Sequence, residues 1–120
     1  MKIITRKFFE LLPLFSNATV EQYLFLLQHP VSIEKDMHGI GCLSCGLLQR
    51  EEARGKFINE SPKFSFKDLK RIYEWMYLNQ ISGGINYSFC PDTIDLIYHL
   101  SKTEEDKKLF SEWAKRKSYR

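Results

Sequence analysis

The chain has no apolar run longer than the five residues Tyr23-Leu24-Phe25-Leu26-Leu27, against the about 20 that a helix needs to cross a bilayer. No membrane partner is therefore expected. Glu10 and Pro13 break the stretch that follows the basic residues Lys2, Arg6 and Lys7. The apolar core of roughly 7–15 residues that a secretory signal requires is missing too, and a cytoplasmic protein is the expectation. Cysteine is scarce and odd in number, at three, which excludes a complete intramolecular disulfide framework and favours reduced thiols or metal ligands. Six glycines and four prolines are too few for a disordered composition. There is no repeat, no low-complexity segment and no linker. The absence of recurring strand–helix alternation argues against a doubly wound nucleotide fold.

What is present suits one domain spanning residues 1–120. Of these residues 43% are hydrophobic and 14% aromatic, enough to bury a core without help from a metal or a disulfide. Charge is unevenly placed. Residues 1–101 hold equal numbers of basic and acidic side chains, so the net +3 comes from residues 102–120, where Lys115, Arg116, Lys117 and Arg120 form a basic tail.

Periodicity predicts a mainly α fold of five to six helices around one core, with little or no β-strand and an irregular glycine- and cysteine-containing loop. A short helix over 5–12 would have Thr5 as its cap and Ile4, Phe8, Leu11 and Leu12 along one side, until Pro13 ends or kinks it; a strand over 2–8 is the alternative. A helix over 18–28, capped by Asn17 or Ser16, carries Val20, Tyr23, Leu24 and Leu27 at helical spacing, and Phe25 and Leu26 widen its apolar face. Residues 31–46 read as irregular. A helix over 45–54 should end near Gly55, with 57–66 a loop or short edge strand. Ser65-Phe66-Lys67-Asp68 resembles a capping signal for a helix running to about Asn79. Pro91 and Asp92 open another, to about Leu100, with Ile94, Ile97 and Leu100 toward the core. Thr103-Glu104-Glu105-Asp106 opens a last helix to about Lys117. There Glu104, Lys108, Glu112 and Arg116 step by four with alternating sign, the pattern of a solvated face, and Leu109, Phe110 and Trp113 make the other side.

Chemistry concentrates in His38-Gly39-Ile40-Gly41-Cys42-Leu43-Ser44-Cys45-Gly46. Two cysteines three apart can turn both sulfurs to one tetrahedral zinc. A closed site needs four ligands, and the candidates are Cys42, Cys45, Cys90 and His38, with His99 or His29 as a substitute. One such pair without a second is also compatible with small thiols packed in a turn. A redox dithiol at Cys42 and Cys45 lacks its usual strand–helix context. Nothing completes a triad for a cysteine nucleophile served by His38, and the loop lacks the Gly-Lys-Ser/Thr ending of a phosphate loop. Asp92, Asp95 and His99 share one helix side and could hold a metal; the simpler account gives the acids to the helix N-terminus and pairs His99 with Asp95. His29 reads as a helix-end histidine interacting with free carbonyls.

Trp75 falls on the helix side opposite the stripe of Leu69, Tyr73 and Met76, with Leu78 beside it. It either packs under a second segment or anchors a partner, a role tryptophan favours. The basic tail offers Lys115, Arg116, Lys117 and Arg120 to nucleic acid phosphates, although a dedicated nucleic-acid binder usually spreads charge across its body. The expectation is thus a non-enzymatic regulatory or inhibitory protein, of the kind viruses and mobile elements encode, that binds a protein partner and carries a zinc-pinned loop. The alternatives are a small nucleic-acid-binding regulator and a thiol redox protein.

Overall fold

Pro13 sets the first boundary. It lies in the first turn of a 3-10 helix, Leu12–Phe15, that follows α1 (Arg6–Leu11) directly; without an amide hydrogen, proline starts such a turn more readily than it continues a helix. The structure, a computed structural model, describes residues 2–35, 51–78 and 91–118. Both readings of the N-terminus are realised in part. Lys2–Ile4 form a strand, β1, antiparallel to β2 (Ile33–Lys35) with Ile4 opposite Ile33, and α1 begins two residues later. Thr5 precedes α1 but makes no side-chain cap. Its hydroxyl instead donates to the Val31 carbonyl at 2.6 Å and its amide to the Ser32 carbonyl at 2.9 Å, which locks β1 to the turn before β2.

The helix α2 (Val20–Gln28) is capped by Thr19, not by Asn17 or Ser16. The Thr19 hydroxyl accepts from the Gln22 amide at 3.3 Å while the Gln22 side chain accepts from the Thr19 amide at 2.9 Å, a reciprocal capping box that satisfies two otherwise orphaned donors. Val20, Tyr23, Leu24, Leu26 and Leu27 are buried, but Phe25 is 67% exposed. It therefore does not widen the buried face as expected, because a helix presents only one stripe of about 100° or more to a core.

Next comes α3 (Glu51–Glu60), which overturns the expected stop at Gly55 and the loop over 57–60. Glycine costs a helix only about 1 kcal/mol relative to alanine. Burying Phe57, 1% exposed and 6.3 Å from Phe8 between ring centroids, outweighs that cost. The expected start of this helix, 45–50, lies outside the described residues. Three further helices complete the described fold: α4 (Phe66–Leu78), α5 (Pro91–Tyr98) and α6 (Glu104–Ser118). The described residues are thus mostly helical, with two three-residue strands.

A polar seam joins the parts. Phe64 is buried and forms a parallel bridge with Ser101: its amide donates to the Leu100 carbonyl and its carbonyl accepts from the Lys102 amide, both at 2.8 Å. Two residues on, the first amide of α4, Phe66, donates to the Asp106 carboxylate at 3.0 Å. Thr103 donates its hydroxyl to the other Asp106 oxygen at 2.8 Å and accepts from the Asp106 amide at 3.1 Å. One short motif therefore caps α6 locally and α4 across the fold. These bonds, first the one from Phe66, hold the Asp106 carboxyl below the usual carboxylate range. Lys63 adds a second tie, donating to the Ile58 carbonyl at 2.9 Å and the His99 carbonyl at 3.0 Å. It serves the C-terminal ends of α3 and α5 together, where the helix dipole favours a cation.

Around this seam the core packs Phe8, Leu12, Tyr23, Phe57 and Phe64 against Leu69, Ile72, Tyr73 and Met76 of α4, Ile97 and Leu100 near the end of α5, and Phe110 and Ala114 of α6. Ile94 and Trp113 are half-buried against the same core, and Leu109 turns outward. Tyr23 is fully buried among the Phe8 and Phe64 rings. Its hydroxyl pairs with Ser61 Oγ at 3.1 Å, and burial pushes its pKa up.

Two outcomes follow. Outside its own helix backbone and chain neighbours, no atom of the described residues stands within 4 Å of a Cβ placed on Gly55, so Gly55→Ala should raise stability in urea denaturation by about 0.5–1 kcal/mol; a loss would mean that this helix side is not open. Asp106 titrates lower in the folded chain than in the unfolded one. Its contribution is complete above the unfolded pKa, roughly 4, and is lost as pH falls through the folded value. Between about pH 5 and pH 2 the natural chain should lose stability more steeply than Asp106→Asn. Parallel curves would remove the cap from this account.

Candidate functional site

Helix geometry places Arg71, Trp75 and Leu78, at i, i+4 and i+7, within about 60° of one another on α4. The opposite stripe of Leu69, Ile72, Tyr73 and Met76 is buried, so this flank faces away from the centre of the core. Trp75 is half-buried and packs against the core's edge, while Leu78 is 78% exposed. Arg71 donates to Glu21 of α2 at 2.8 Å. That bond holds the Glu21 carboxyl low and the Arg71 guanidinium high. The pair fixes the guanidinium beside the tryptophan flank, with both side chains still open to solvent.

A second locus lies between α3 and α5. Asp95 accepts from Arg54 through Oδ2, and its Oδ1 stands 3.8 Å from His99 Nε2. His99 also meets Tyr98 edge to face, at 5.5 Å between ring centroids. The expected Asp95–His99 pairing is present as a contact longer than a hydrogen bond. Both Asp95 oxygens face side chains, and no group of three or more His, Cys, Asp or Glu suited to a metal occurs among the described residues. Arg54 meets Asp95, and Lys63 joins the Ile58 and His99 carbonyls. Lys63 thus ties the C-terminal part of α3 to the residue that follows α5. Cys42, Cys45, Cys90 and His38 lie outside the described residues. His29, read as a helix-end histidine interacting with free carbonyls, instead accepts from the Val31 amide through its Nδ1 at 3.3 Å.

The third locus is α6. Lys115 and Arg116 are exposed on it. Lys117 belongs to the helix, with its side chain outside the description, and Arg120 lies beyond the described residues. The expected step-of-four pairs among Glu104, Lys108, Glu112 and Arg116 are not formed; Glu104 pairs instead with Lys107 at 3.3 Å, three residues on. Lys107 also sits over the Tyr98 ring, 5.1 Å from its centroid. Together Tyr98 and one face of α6 line a depression of about 280 Å³. Reading the sequence missed this concavity, because the 104–115 stripe looks like an ordinary solvated face and its wall, Tyr98, comes from another helix.

No described helix is long and apolar enough to cross a membrane. No family model, curated protein or solved structure matches the chain.

Proposed function

We propose that this chain is a small, non-enzymatic, cytoplasmic regulatory protein that binds a protein partner through the Arg71–Trp75–Leu78 flank of α4. The observation that carries the reading is the exposure of Leu78 beside a half-buried tryptophan and an ion-paired arginine on one helix side. Tryptophan and arginine are the residue types that most often anchor protein interfaces. Here both are held before any partner arrives, which lowers the ordering cost of association. Leu78→Asp tests the site cleanly, since the side chain contributes little to the core. Once a partner has been purified, the variant should bind it at least about tenfold more weakly with unchanged urea stability. Unchanged affinity would remove this flank from the reading.

A structural zinc held by Cys42, Cys45, Cys90 and His38 belongs to the same proposal. The spacing of the two cysteines in Cys42-Leu43-Ser44-Cys45 supports it, since two cysteines three apart can turn both sulfurs to one zinc. Glu51 of α3 follows Cys45 by six residues, and Pro91 of α5 directly follows Cys90. Elemental analysis of chain purified without chelator or metal resin should find one zinc per molecule, lost in Cys42→Ser. Metal-free protein would leave the cysteines as packed or redox-active thiols.

A further inference from the structure

We draw no further inference here: the strongest candidate, the exposed apolar patch that Phe25 and Val31 form about His29 at the C-terminal end of α2, carries nothing, because nothing in the structure shows what covers it.

Discussion

The Asp106 carboxylate is the point on which the relative placement of α4 and α6 depends. A helix start leaves up to four amides without partners, and α4 has its first amide served by a residue forty positions later. The same side chain takes part in the cap of α6 through Thr103. Orienting one helix thereby orients the other, and the Phe64–Ser101 bridge beside it sets their separation. Packing follows from that placement. Tyr73 of α4 meets Phe110 and Trp113 of α6 at 6.1 and 6.2 Å between ring centroids, distances at which aromatic pairs attract beyond simple burial.

The N-terminal half is tied by the same economy of polar groups. Thr5 links β1 to the 31–32 turn, and Tyr23 of α2 reaches Ser61 just after α3. Each uses a hydroxyl bond between segments distant in sequence, to which Thr5 adds its amide bond to Ser32. Each also lies next to large apolar contacts, which supply most of the stabilisation. The polar bonds choose among packings that the apolar residues alone would tolerate.

Much of this was legible in the sequence wherever the interactions are local. The stripes of α2 and α4, the turn at Pro13 and the cap before α6 all rest on neighbours within four residues. The Thr19 cap was equally local: Thr19 and Gln22 have capping-box spacing, and the more common cap types at Ser16 and Asn17 drew attention from it. The extension of α3 through Gly55 was not legible, since it depends on Phe57 finding Phe8 across the fold. Nor was the Asp106 cap of α4, which Ser65-Phe66-Lys67-Asp68 mimics with a purely local alternative. Of the candidate sites, the α4 flank could be placed by counting 100° per residue, whereas the hollow beside α6 needs a wall from α5 that no periodicity announces.

The forty-residue reach of Asp106 also bears on how the chain acquires its shape during synthesis. Phe66 is made well before Asp106, so a growing chain presents α4 without its tertiary cap and with the surface for Phe110 and Ala114 uncovered. Short helices of this size are marginal alone, and contacts between distant residues form late because the loop must close before they contribute. The first half therefore emerges as an incomplete fold with an open apolar flank, the kind of species that invites aggregation or chaperone capture. Cooperative closure waits for the arrival of a single carboxylate and the helix behind it.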